Sequence, residues 1–327
     1  MGKCVAITGA TGFVGGALAR ELAQQGHELR LLARANSDRS GLAGMAVDWQ
    51  VGDVLQADTL PDLVRGVDWV IHAAGMLGQA GVPESAYHQL HVEGTRHLLT
   101  AVARHNPGAR VLYVSSPGVL GPIDGPPADE TALLAPSNPY ERSKAAAEQV
   151  ALDFAANGLD VVIARPEFIY GPGDLHVLGL FQAVQRGMFF TIDGGRAVCH
   201  PTFIADAVAG MIGCLLNGRS AHVYHITGPR PVSFRELGDT IAAALGVRSP
   251  WLSLPKPLAL LAAATLEVMG KVTGITPPLS RTGVAFFSEN RRFSWQKAHD
   301  QLGYTPQFDL AQGVAETVGW YQKQELL

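Results

Sequence analysis

The chain has 327 residues, enough for a large domain with a smaller one attached, and a hydrophobic content of 47% is ample for burial. A formal net charge of −4, with no Lys/Arg block interleaved with aromatics, argues against nucleic acid as a partner. The three cysteines, Cys4, Cys199 and Cys214, have neither metal-ligand nor disulfide spacing and read as buried thiols in a reducing compartment.

Strand-like sequence begins at Lys3, which leaves no room for a charged leader and apolar signal segment, so a cytoplasmic location is expected. The apolar run Val5 to Ile7 ends in Thr8, Gly9, Ala10, Thr11 and Gly12, a glycine-rich turn from a buried strand into a helix. Such a turn is a phosphate site. N–H groups at a helix start lack intrahelical partners, and Gly9, Gly12 and Gly15 carry no Cβ to hold a pyrophosphate away from them. The spacing is G-x-x-G-x-x-G, with Thr11, Phe13 and Val14 between the glycines.

The next apolar run, Leu29 to Ala33, ends at Arg34 and not at an acidic residue. An Asp or Glu at that strand end suits the ribose 2′-hydroxyl of NAD, whereas an arginine suits the 2′-phosphate of NADP. NADP is therefore the expected cofactor, with Ser37 and Arg39 as further donors in the same loop; the plainer alternative is a solvated arginine.

Further strands are predicted at Ala46 to Val51, Trp69 to Ala73, Val111 to Ser115, Val161 to Ala164 and Val223 to Thr227. Helical patterns lie between them near Leu18 to Gln25, Thr59 to Arg65, Ala86 to His105, Asn138 to Asn157, Ile204 to Leu216 and Ser233 to Leu245. The alternation predicts an α/β fold, a doubly wound parallel sheet with a smaller, mixed C-terminal lobe. Residues 1–168, with 203–228 returning to them, are expected to form the nucleotide-binding domain, and 169–202 with 229–327 the substrate-binding lobe.

One long apolar stretch, Trp251 to Gly274, is broken by Pro255, Lys256 and Pro257, and its uncharged run Leu258 to Leu266 is too short to span a bilayer. Contact with a membrane surface stays open. Leu258, Leu261, Thr265, Leu266 and Met269 fall at helical spacing while Ala259, Ala262, Ala263 and Ala264 leave almost no polar face. A helix apolar all round is buried, docked on membrane or laid over an apolar ligand, and Leu261 and Met269 are taken as bordering a substrate pocket.

The segment "NPYERSKAAAEQV" sets Tyr140 and Lys144 four residues apart, on one helix face. An ammonium beside a phenol favours phenolate and lowers the tyrosine from about 10 toward the range useful for proton transfer. Ser115 and Ser116 close the strand "ARVLYVSS" at the carboxyl end of a parallel sheet, where ligands of open α/β folds bind. The Ser116 hydroxyl and the Tyr140 phenol then form an oxyanion-type pair for a substrate carbonyl.

With these motifs the sequence resembles an extended short-chain dehydrogenase/reductase of the NAD-dependent epimerase/dehydratase and 3β-hydroxysteroid dehydrogenase superfamily, on its dihydroflavonol reductase-like side. The matching pieces run in order along nearly the whole chain: "TGATGFVG" at Thr8, "GDV" at Gly52, "HAAG" at His72, "VEGT" at Val92, "VSSPGVLG" at Val114, "YERSK" at Tyr140, "RPEFIYGPGD" at Arg165 and "HPTFIADAV" at His200. The resemblance implies Tyr140 as acid/base, Lys144 on the nicotinamide ribose and Ser116 orienting substrate. It implies Asp53 and Val54 near the adenine, Ala73, Ala74 and Gly75 along the cofactor, and Pro166 opening the loop under the nicotinamide. It also implies pairing of the Ala86 to His105 and Asn138 to Asn157 helices in a homodimer. For Asp53 a loop cap is an equal reading, and for Asp206 a helix cap is the stronger one. One departure is His91, where the family usually has asparagine; it reads as a helix histidine satisfied by a backbone carbonyl.

Nucleotide-sugar epimerases and dehydratases often carry an asparagine at the position of Phe168 to hold a diphosphate, and an aromatic there leaves such an anion without a donor. The expected reaction is therefore NADP-dependent interconversion of a ketone and a secondary alcohol on a bulky, mostly apolar substrate. A nucleotide-sugar epimerase or dehydratase is the first alternative, and a non-catalytic NADP-sensing protein the second.

Overall fold

The computed structural model describes residues 2–79, 81–273 and 279–327, apart from the side chains of 271–273. Seven parallel strands form its central sheet: β1 (Cys4–Thr8), β2 (Glu28–Ala33), β3 (Asp48–Val51), β4 (Trp69–His72), β5 (Arg110–Val114), β6 (Val161–Pro166) and β7 (Val223–Ile226). Their spatial order is β7-β6-β5-β4-β1-β2-β3, so the chain reverses its direction of travel between β1 and β4. Ligands of such sheets bind outside the strands' carboxyl ends at that reversal.

Side-chain alternation along each strand builds two cores. Val5, Ile7, Leu31, Leu112 and Val162 face helices α1 (Phe13–Gln24) and Ile204–Asn217, whereas Ala6, Leu32, Val70, Val111 and Val161 face α2 (Gly94–His105) and α3 (Pro139–Ala156). The first core runs on without a break into Tyr170, Phe181, Phe203, Phe234 and Tyr321, so the C-terminal segments share the sheet's interior. Three two-stranded pairs complete that region, among them Ile169–Tyr170 beside Thr202–Phe203.

Two expected helices differ in form. Thr59 to Arg65 is a short 3₁₀ turn followed by a single turn, Pro61–Val64, because Pro61 removes a donor and restarts the helix. Ala86 to His105 begins at Glu84 and passes through a π-turn at His88–Glu93 before α2. Such bulges occur often at functional sites.

The helix after Pro255, here α4 (Lys256–Thr273), is not apolar all round in its environment. Ala259 and Ala263 are fully buried against Ile192 and Val284, and their small size permits that close packing. Leu261 and Met269 lie on the other side, 65% and 54% exposed. The buried stripe of α4 is therefore built from its alanines, and Leu261 and Met269, expected to border a substrate pocket, lie on its outer face. Among the described residues, no helix is long and apolar enough to cross a membrane.

Candidate active site

The turn from β1 into α1 is pressed against the segment that follows β4. Gly9 has φ 75°, and a Cβ there would lie 2.6 Å from the Ala73 carbonyl and the Ala74 nitrogen. A Cβ on Gly15 would lie 2.2 Å from the Gly9 oxygen. Glycine at both positions is thus dictated by backbone meeting backbone. Gly12 caps α1 with no side-chain hydrogen bond, so the first-turn N–H groups of Phe13, Val14 and Gly15 are free of a capping oxygen. This cradle fits a pyrophosphate.

A buried relay fixes the far wall. The Ala74 N–H donates to Thr8 Oγ1 (3.3 Å), the Thr8 hydroxyl to His72 Nδ1 (2.7 Å), His72 Nε2–H to Thr95 Oγ1 (3.0 Å), and the Thr95 hydroxyl to the His91 carbonyl. Every member has one consistent role, which assigns the His72 proton to Nε2. Burial holds His72 down at about 3, so it stays neutral at physiological pH.

Arg34 stands exposed just beyond β2, its carbonyl accepting from the Ser37 N–H. Arg39 instead stacks over Trp49 at 4.9 Å. Asp53 accepts from the Leu55 N–H at 3.0 Å, the loop-cap role, beside the buried Val54. Asp206 accepts from the Gln307 and Phe308 N–H groups and ties the tail to its helix rather than capping its own backbone.

Ser116 follows β5 and accepts from the Gly118 N–H at 3.2 Å, capping a 3₁₀ turn. Tyr140 and Lys144 sit one turn apart in α3, whose start Asn138 caps by accepting from Glu141 N–H. Lys144 Nζ donates to the Val114 carbonyl at 2.7 Å and lies 4.9 Å from the Tyr113 ring. Burial lowers this lysine to about 8. Tyr140 moves the other way. Burial pushes its phenol up to about 12, opposed by the Ser116 hydroxyl. The sequence predicts a Tyr140 lowered by Lys144; in the structure the ammonium is turned to a backbone carbonyl, and desolvation of the phenolate is the largest effect on Tyr140 and raises it.

His91 is held differently from the carbonyl contact expected of it. Its Nε2 accepts from the Met76 N–H (3.1 Å), Nδ1–H donates to Ser143 Oγ (2.8 Å), and the Ser143 hydroxyl donates to the Tyr140 carbonyl (2.7 Å). The imidazole therefore buttons the segment after β4 to the turn of α3 that carries Tyr140, edge-on to the Tyr140 ring at 5.7 Å. Burial holds it down at about 3, which suits this neutral tautomer.

The residues after β6 bring a buried carboxyl that no local motif marks. Glu167 is 5% exposed, and Arg291, from the distant segment "ENRRF", is 7% exposed. Arg291 Nη1 pairs with Glu141 at 2.7 Å, beside Tyr140 in the chain. The signals are the acidic residue in "RPEF" and the paired arginines of "ENRRF", which lie far apart in the chain. Phe168 follows with φ 34°, rare for a residue with a side chain, and its ring meets Phe286 edge-on at 5.4 Å.

Burial pushes the Glu167 carboxyl up to about 7, against the pull of Arg291. Its folded-state value exceeds the unfolded one, so folding stability falls as pH rises from the unfolded value through 7. Glu167→Gln should accordingly be near neutral at pH 4.5 and stabilising at pH 8, by on the order of 3 kcal/mol at most. Urea unfolding at the two pH values checks this; an equal difference at both would mean that the carboxyl ionises normally.

Residues 5–227 match the model of the NAD dependent epimerase/dehydratase family, about two-thirds of the chain. The chain belongs to that family. It is thereby an extended short-chain dehydrogenase/reductase and an NAD(P)-dependent enzyme of oxidoreductase type. Relatives match it end to end. The 4-hydroxy-2-methyl-3-oxo-4-farnesyl-3,4-dihydroquinoline-1-oxide ketoreductase of Stigmatella aurantiaca is 29% identical over 94% of this chain and 93% of its own. The 2-alkyl-3-oxoalkanoate reductase of Stenotrophomonas maltophilia is 29% identical over 95% of this chain and 97% of its own. Among solved structures, the dTDP-glucose 4,6-dehydratase DesIV of Streptomyces venezuelae, with NAD bound, superposes with TM-score 0.81 at 26% identity, covering 99% of this chain and 100% of that one. The family thus spans reductases and sugar-nucleotide dehydratases, and the fold is common to both.

Proposed function

We propose that the chain is an NADP-dependent ketoreductase or secondary-alcohol dehydrogenase acting on a bulky, mostly apolar substrate. The observation that carries the reading is the grouping of Ser116, Tyr140 and Lys144 at the carboxyl end of β5 and on α3, on the same sheet edge as the glycine turn. Gly9, Thr11, Gly12, Phe13, Val14 and Gly15 hold the pyrophosphate, Arg34 and Ser37 the 2′-phosphate, and Asp53, Val54, Ala73, Ala74, Gly75 and Pro166 the remainder. Residues 1–168 with 203–228 serve as the nucleotide-binding part, and 169–202 with 229–327 as the substrate part.

A bound nicotinamide supplies or accepts the hydride. Tyr140 Oη gives a proton to the carbonyl oxygen in reduction and takes it from the hydroxyl in oxidation. The Ser116 hydroxyl donates to the same oxygen and orients it. Lys144, still an ammonium at neutral pH, holds the nicotinamide ribose. Phe168 and Phe286 supply an apolar wall, and they weigh against the diphosphate that a sugar-nucleotide dehydratase must bind.

Spectrophotometric oxidation of NADPH against ketones, including steroids, flavonoids and nucleotide sugars, tests the reading. Turnover confined to apolar ketones is the expected result; turnover of a nucleotide sugar, or of nothing, would replace it with the dehydratase or the sensor. The cofactor preference has its own test. Arg34→Ala should weaken NADP by about 1.5–3 kcal/mol, roughly tenfold or more, while NAD binding is unaffected. Equal losses for both nucleotides in a fluorescence titration would remove the 2′-phosphate contact.

A further inference from the structure

We propose that Glu167 binds the substrate, its carboxyl accepting a hydrogen bond from a hydroxyl or amino group carried close to the reacting carbonyl. The assignment deepens the ketoreductase reading by naming the substrate class as a ketone with one hydrogen-bond donor near its carbonyl and an apolar remainder.

The starting point is an unpaid debt of polarity. Glu167 is 95% buried, yet among the described residues no hydrogen bond or ion pair reaches its carboxyl. Buried polar groups are nearly always paired, and each exception calls for an explanation. The obvious partner is committed elsewhere: Arg291 Nη1 goes to Glu141 and Nη2 to Glu289 at 3.4 Å, while its Nε is sealed and unpaired. Glu141 is in turn satisfied by Arg291 and by the Ser137 N–H and hydroxyl. Neither oxygen of Glu167 is among the sealed, unpaired polar atoms, so both border open space.

The backbone that carries this side chain is held in place. The Glu167 N–H donates to the Ile226 carbonyl (3.1 Å), its carbonyl accepts from the Thr202 hydroxyl (2.6 Å), and the Phe168 carbonyl accepts from the Thr202 N–H (3.1 Å). Those bonds maintain the φ of 34° at Phe168, a strained conformation of the kind that persists where surrounding structure enforces it and that clusters at ligand sites. A backbone fixed before a ligand arrives loses no entropy of its own on binding it.

The location is the carboxyl edge of the sheet that carries the reaction site. Glu167 directly follows Pro166, the last residue of β6, and β6 pairs with β5, which ends two residues before Ser116. An anchoring role needs a partner within the protein, and none is present among the described residues. A phosphate or carboxylate ligand would set a second anion beside a buried acid. A neutral hydroxyl or a cationic amine meets no such cost.

The experiment uses the NADPH complex of the full chain with two probes, tridecan-2-one and 1-hydroxytridecan-2-one, on wild type and Glu167→Leu. Wild type should favour the hydroxyketone in kcat/KM by roughly tenfold or more, and the variant should bring the ratio to near unity. Glu167→Met replaces the leucine variant should that one not fold. In parallel, calorimetric titration of the NADP complex with tridecan-2-ol and tridecane-1,2-diol reads binding without turnover. If neither ketone is reduced but the diol binds wild type more tightly than the variant, the ketoreductase reading fails and the Glu167 assignment stands. A ratio that is the same in wild type and variant, in rate and in binding, overturns the assignment, as does a wild type that prefers neither probe in either measurement.

Discussion

Tyr140→Phe is expected to lower kcat/KM for the best ketone by about two to four orders of magnitude, the usual contribution of a positioned proton donor, while nucleotide affinity changes little. The substitution removes only the phenol oxygen, and the ring keeps its edge-on contacts with His91 at 5.7 Å and Tyr87 at 6.3 Å. The backbone carbonyl of residue 140, where the Ser143 hydroxyl ends the His91 chain, is untouched. Stability should therefore be retained, and the loss should appear in the chemical step. Lys144→Ala provides the contrast: it strips the donor to Val114 and the charge over Tyr113, and should impair nucleotide binding as well as rate. Stopped-flow hydride transfer and nucleotide titration on both variants separate the two patterns. A Tyr140→Phe variant within tenfold of wild type would remove this residue from the proton's path.

The second large effect is on folding. Arg165 and Glu148 form an ion pair whose side chains are 4% and 3% exposed, with Arg165 Nε on Glu148 Oε2 at 3.0 Å and Nη1 at 3.3 Å from His225. Glu148→Ala leaves a guanidinium buried without its counter-charge, which costs about 3–5 kcal/mol. The double variant Arg165→Met, Glu148→Leu should recover most of that loss, because an apolar pair of similar volume carries no desolvation penalty. Arg165 directly precedes Pro166 and Glu167, so the single variant should also raise KM by loosening the end of β6. Denaturant unfolding of the three proteins is the measurement. A single-variant loss below about 1 kcal/mol would mean that water reaches the pair and solvates the orphaned charge.

The alternation of short apolar runs with helical periods is local, and the parallel doubly wound sheet follows from it because strands that run parallel need covered crossovers. The glycine turn, the one-turn spacing of Tyr140 and Lys144 and the serines closing β5 were readable for the same reason, each being set by residues within a few positions of one another. What sequence alone could not determine was anything decided by burial or by distant segments meeting. The direction of the Tyr140 shift was set by burial of its phenol, while the Lys144 ammonium found its oxygen on a strand carbonyl 30 residues away. The face that α4 buries was set by the close approach of Ile192 and Val284, which selects the alanines and leaves Leu261 outside. His91 found a backbone N–H from the loop after β4, and Arg291 reached Glu141 from 150 positions further on, as their numbers show. Local propensity and spacing act along the chain, whereas desolvation and charge act through space, so only the folded tertiary structure could assign these groups their partners and their protons.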